Sequence, residues 1–130
     1  MIRLILTFCL FSILVDATDF VIREQMVCNI RSNWGYSIRF VEIDTIQDDG
    51  IYENNWVSVN GNSNGPRHVT NFVYNAGDGW RDPHYELGIK VTHTCTNNGK
   101  QSTFTQYIDH VAVSNQYYLK EIVGFVLDNR

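Results

Sequence analysis

After its first residues the chain has no apolar run long enough to cross a membrane, since a spanning helix needs roughly 20 such residues. No lipidation signal appears, and no Asn-x-Ser/Thr acceptor is present, so N-glycosylation is not expected. Basic residues are in the minority, 10 Lys and Arg against 14 Asp and Glu, for a net charge of -4. A nucleic-acid binder needs a basic stripe, and this balance argues against that class of partner. Familiar catalytic patterns are missing too. There is no Gly-x-Ser-x-Gly elbow, and His68, His84, His93 and His110 share neither a His-x3-His spacing nor a His-Glu-x-x-His context. Asp48 and Asp49 are not followed by the spacing of a calcium loop, so they read as an acidic turn. No metal and no cofactor is expected.

What stands at the start is a secretory signal. Arg3 supplies the positive end, and Leu4 to Val15 is apolar except for Thr7, Cys9 and Ser12. Val15-Asp16-Ala17 then offers compact residues to a signal peptidase. Residues 1–17 are therefore assigned to a signal peptide and 18–130 to one domain, giving a secreted, extracellular protein with no transmembrane segment. Removal of Arg3 and Asp16 leaves the net charge unchanged.

Loss of Cys9 with the signal leaves Cys28 and Cys95. Two cysteines in an oxidising compartment most simply pair with each other, with a free thiol or an intermolecular bridge as alternatives. Neither has a Cys or His neighbour at zinc-ligand spacing.

The pattern along the chain is that of strands. Tyr85, Leu87, Ile89, Val91, His93 and Cys95 fall on one side of an extended segment, with Glu86, Gly88, Lys90, Thr92 and Thr94 on the other. Phe20, Ile22, Met26 and Cys28 share a face in the same way, and Glu24 is the exception on it. Both cysteines thus face the expected core. His93, beside Cys95, reads as a hydrogen-bonded core histidine. Five further segments, Tyr36 to Asp44, Asn55 to Asn60, Arg67 to Asn75, Ser102 to Val111 and Leu119 to Asp128, are rich in β-branched and aromatic residues. Turn-forming clusters separate them, at Ser32-Asn33, Gln47 to Gly50, Asn60 to Pro66, Ala76 to Asp82 and Thr96 to Lys100. No stretch has a helical period. The expected fold is an all-β, antiparallel sandwich of seven to eight strands, with Trp34 and Trp56 packed in its core.

These segments resemble the transthyretin-like family, secreted proteins expanded in nematodes. Ile22 to Cys28 resembles the family's opening strand, which ends in a cysteine, although a glycine usual there is Glu24 here. Asp44 with Asp48-Asp49 resembles the acidic turn after the second strand. Asp82-Pro83 through His93-Thr94-Cys95 resembles the strand closing in His-x-Cys, and Val123 to Leu127 the terminal strand. The resemblance implies a transthyretin (prealbumin)-like sandwich acting as a non-catalytic extracellular binding, carrier or adaptor protein. Its partner would be an extracellular ligand or receptor; one role described in the family bridges phosphatidylserine on dying cells to an engulfment receptor.

Two other readings accompany it. In one, edge strands pair with another chain, as in transthyretin dimers, giving an interaction module or homodimer. In the other, the chain resembles the hydroxyisourate hydrolases related to transthyretin. Those enzymes use histidines, an arginine and a Tyr-Arg-Gly-Ser terminus, whereas this chain ends Leu127-Asp128-Asn129-Arg130 and has no histidine in its first strand. The loop from Ala76 to Tyr85 has two readings, a contact with a ligand or partner, or a plug of the sandwich end with Trp80 folded back and Arg81 paired with Asp78 or Asp82. Trp80 and Arg81 set an aromatic plate beside a planar cation, suited to an anionic lipid headgroup or a protein surface, with Asp78, Asp82 and His84 around them.

Overall fold

The computed structural model describes residues 18–43, 49–61, 64–74, 84–112 and 117–130. Eight strands account for most of them: β1 (Thr18–Val27), β2 (Asn33–Glu42), β3 (Asp49–Glu53), β4 (Val57–Asn60), β5 (His68–Tyr74), β6 (His84–His93), β7 (Ser102–Ala112) and β8 (Tyr117–Val126). No helix occurs among the described residues.

The strands form two sheets. One has the order β5-β1-β8, and the other the order β3-β2-β6-β7 with β4 also on β2. β3 pairs with the second half of β2 and β4 with its first half, so together they form one interrupted edge. Asn54 bridges the interruption. Its backbone N–H donates to Ile38 O at 2.9 Å, and its side-chain Oδ1 accepts from Ile38 N–H at 2.6 Å.

Alternation decides the core. Phe20, Ile22 and Met26 of β1 meet Trp34, Tyr36, Ile38 and Phe40 of β2 and Tyr85, Leu87, Ile89 and Val91 of β6 in one buried cluster. Phe20 lies near its centre, stacked on Phe72 with ring centroids 5.0 Å apart and edge-on to Tyr85 and Tyr118. Along the β7 and β8 side the sheets meet through Phe104 on Phe125, and Tyr118 Oη donates to Asp109 Oδ2 at 2.7 Å. That bond holds the Asp109 carboxyl below its usual range, and burial, with Asp109 beside it, pushes the Tyr118 phenol up.

One expectation needs correction. β1 pairs with β8 in parallel, not antiparallel, while the other five ladders are antiparallel. A period of two sets which face a side chain takes and carries no information about strand direction. The β1–β8 register slips where Glu24 faces Ile122 and Met26 faces Phe125, so β8 holds one residue more than β1. Gly124 takes up that extra residue at φ +72, a left-handed conformation that glycine adopts without strain. β2 also begins earlier than the pattern indicated, and the supposed turn at Asp49-Gly50 opens β3.

Cys28, just after β1, is bonded to Cys95, just after β6, tying one sheet to the other. His93 is fully buried beside this bridge. Its Nδ1 accepts from Cys95 N–H at 3.1 Å, and its Nε2 lies 3.2 Å from Arg130 O. Burial lowers the tendency of this imidazole to take a proton.

Candidate functional site

The inward face of β1 runs Phe20, Ile22, Glu24, Met26, so the strand's own parity carries a carboxyl into the core. Glu24 is 1% exposed. Across β1 and β5 its direct register partner is His68, and Thr70 is one inward position further along. Thr70 Oγ1–H donates to Glu24 Oε1 at 2.6 Å. From the facing sheet, Tyr36 places its ring edge-on to His68, with centroids 6.4 Å apart, and Trp34 stacks on Tyr36.

This cluster is under-satisfied. Glu24 Oε2, His68 Nε2, Tyr36 Oη and Trp34 Nε1 are buried with no hydrogen-bond partner among the described residues. Buried polar groups in native proteins are nearly always paired, and an orphan costs roughly 1–3 kcal/mol. Four in one cluster are therefore a costly feature for packing alone to retain. Burial pushes the Glu24 carboxyl above its ordinary value, against the opposing pull of the Thr70 hydroxyl and the His68 charge. Burial, and then the charge of Glu24, push the Tyr36 phenol up to about 12.

Two clefts reach the cluster, and Glu24, His68 and Val69 line both. The first, of about 240 Å³, is bounded also by Arg23, Arg67, Glu121 and Val123. Arg23 in it is already paired with Glu121 at 3.2 Å. The second, of about 270 Å³, lies between β5 and the interrupted edge and adds Tyr52, Asn54, Asn55, Trp56, Val57 and Thr70. Trp56 was expected in the core; instead it is 45% exposed and projects where the edge breaks. Its indole lies on Gly35, where a Cβ would come within 2.5 Å of Trp56 Nε1, so only glycine leaves room for it. Trp34, by contrast, is buried.

The loop residues expected to touch a partner, Asp78, Trp80, Arg81 and Asp82, lie outside the described residues, as do Asp44, Asp48 and residues 1–17. His84, at the start of β6, is half-buried and stacks on His110 with centroids 4.4 Å apart, well away in sequence register from Glu24. Sequence reasoning noted Glu24 as the odd residue on its face but attached no role to it. His68 was weighed only for a spacing it lacks, and Tyr36 and Thr70 went unmarked, since their convergence with Glu24 depends on the pairing of β1 with β5 and the packing of β2 over both. The legible signal was an acidic residue at an inward position.

One grouping of metal-ligand types occurs among the described residues, Cys28, Cys95 and Asp128. Its two sulfurs are bonded to each other and cannot serve as thiolate ligands. Asp128 instead accepts from Asn29 N–H at 2.8 Å and from Asn29 Nδ2 at 3.1 Å, pinning the chain after β8 to the chain after β1. None of the helical kind of membrane span exists among the described residues.

Replacing Glu24 by Gln should stabilise the fold at pH 7 by on the order of 1 kcal/mol, since it removes a buried charge yet keeps an acceptor for Thr70. The folded-state pKa is raised above 4.5, so the contribution of Glu24 to stability is full below that value and lost as pH rises through the folded one. The advantage of Gln should accordingly be present at pH 7 and shrink toward pH 4. Urea unfolding at both pH values measures it, and a less stable Gln variant at pH 7 would contradict the account.

A family model described as "Caenorhabditis elegans protein of unknown function (DUF870)" matches residues 23–126. No curated protein and no solved structure matches the chain.

Proposed function

The chain belongs to that Caenorhabditis elegans family of unknown function, and on that footing we propose that it is a secreted, non-catalytic binding domain, a two-sheet sandwich of transthyretin-like kind. The single observation that carries the reading is a buried carboxyl with one oxygen unpartnered at the wall of a cleft. Ligand sites combine an apolar or aromatic surround with a few placed polar groups, and such groups lower fold stability when nothing engages them. Here Tyr52, Trp56 and Val57 supply the apolar surround, and Glu24, His68 and Asn55 the polar groups.

Binding suits this arrangement better than catalysis. A hydroxyl nucleophile needs an imidazole to take its proton, with a carboxylate orienting that imidazole. In this cluster the Thr70 hydroxyl donates to the Glu24 carboxyl and not to an imidazole, so the hydroxyl–imidazole–carboxylate relay is not assembled. Phosphatidylserine or another anionic headgroup as partner rests on Trp80 and Arg81 and stays attached to that loop, not to the Glu24 cleft.

The test is an NMR screen of the isotope-labelled protein with a mixed set of small polar fragments. Binders should shift the amides of Glu24, His68, Thr70 and Trp56 together. Shifts confined to the opposite sheet, or none with any fragment, would remove the binding reading.

A second reading, the interaction module, is favoured by the outer face of the β5-β1-β8 sheet. Val69 and Val73 of β5 and Tyr117 and Leu119 of β8 are all about half exposed or more on that face. A homodimer mass in solution, lost on Leu119→Lys, would mark it.

A further inference from the structure

The cleft between β5 and the interrupted edge has walls specific enough to indicate what it takes. The one carboxyl on its described lining is Glu24, which is 1% exposed and has Oε2 unpartnered. His68 Nε2 is the other unpartnered buried polar atom on the described lining. Among the described residues neither Lys nor Arg lines this cleft. Its outer part holds two half-exposed aromatic rings, Tyr52 at 37% and Trp56 at 45%, with the Asn54 and Asn55 amides between.

We infer that this cleft binds the ammonium group of a small primary amine, with an aromatic or apolar tail lying against Trp56 and Tyr52. The inference rests on the binding reading above and names the ligand class for that site. An ammonium carries three N–H donors and no acceptor. Glu24 Oε2, left without a partner, and the Asn55 side-chain oxygen on the same lining can each accept one of them, with the third left to water at the open mouth. A buried carboxylate is costly unless a cation compensates it, and the ligand would be that cation. The electron-rich ring faces favour a cation at the mouth as well.

Other classes fit less well. An anion would meet the Glu24 charge with no Lys or Arg among the described residues of this wall to offset it. Calcium takes six to eight oxygen ligands, and a single carboxylate cannot supply them. No metal-ligand grouping among the described residues includes Glu24. A neutral alcohol or sugar can use the same hydrogen-bonding atoms but leaves the carboxylate charge unmatched. The volume of about 270 Å³ restricts the ligand to a small molecule, since drug-sized pockets run from roughly 300 to 1,000 Å³.

The experiment compares 2-phenylethylamine with its neutral isostere 2-phenylethanol by NMR titration and calorimetry on the whole disulfide-bonded protein. The amine should bind with one-to-one stoichiometry and shift Thr70, His68 and Trp56. The alcohol should bind at least tenfold more weakly. Glu24→Gln, checked for an unaltered or raised unfolding midpoint, should lose at least tenfold for the amine and little for the alcohol. Trp56→Ala, a change on a half-exposed ring, should weaken the amine severalfold without loss of fold. Equal binding of amine and alcohol overturns the inference. So does full amine affinity in Glu24→Gln, which would mean general attraction to an acidic surface. If the alcohol or a sugar shifts the cleft residues and the amine does not, the ligand class falls and the binding reading stands. If no probe of any class shifts them, both fall together.

Discussion

Replacing Cys28 or Cys95 by alanine should cost roughly 2–5 kcal/mol, the range for losing a native disulfide from a small secreted domain. The two residues are fully buried, lie 67 positions apart and have Cα atoms 5.7 Å from each other. A loop of that length gives about 4 kcal/mol in the chain-entropy account. The bridge also has a local role. Leu127 N–H donates to Val27 O and Asn129 N–H to Cys95 O, so the chain after β8 is laced to both ends of the bridge. Alanine at either site therefore removes the link between the sheets and loosens that segment. A fall of roughly 10 °C or more in the thermal midpoint is expected at this domain size. Reductant should lower the wild-type midpoint similarly and leave the alanine variants unmoved. A midpoint indifferent to both changes would contradict the structural role of the bridge.

Phe20→Ala should cost about 3–5 kcal/mol, the usual loss for deleting a buried Phe ring. Phe20 is 1% exposed and touches rings from three other strands, Phe72 of β5, Tyr85 of β6 and Tyr118 of β8. These stiff aromatic neighbours cannot collapse into the space, so the cavity persists and the upper part of the range is expected. Val69→Ala in β5, at 59% exposure, is the control and should change little. Urea denaturation of the three proteins measures the difference, and equal midpoints for Phe20→Ala and wild type would refute the central placing of this ring.

Two pH effects accompany these. His93, whose imidazole burial keeps deprotonated, contributes stability that is present above 6.5 and lost as pH falls through its folded-state value. Glu24 acts in the opposite sense at higher pH than its ordinary value. Because the His93 window closes on acidification and the Glu24 window closes on alkalinisation, Glu24→Gln should move the pH of greatest stability upward.

From the residues alone, the strand period, the inward cysteines and the β-rich class were legible. A side chain's face on an extended segment depends only on position parity, and apolar parity over β1, β2 and β6 is nearly unbroken. The same parity flagged Glu24 as an acid pointing inward. What it left open was everything that depends on which strand lies beside which. The parallel pairing of β1 with β8, the broken edge made by β3 and β4, and the exposure of Trp56 all arise from neighbours distant in sequence. So does the cluster itself. His68 reaches Glu24 across 44 positions because β5 pairs with β1 in the register that sets Glu24 against His68, and Tyr36 arrives from the other sheet. Local composition decides how each segment bends and which side it buries. Only the packing of the two sheets decides which polar atoms are left facing one another without a partner.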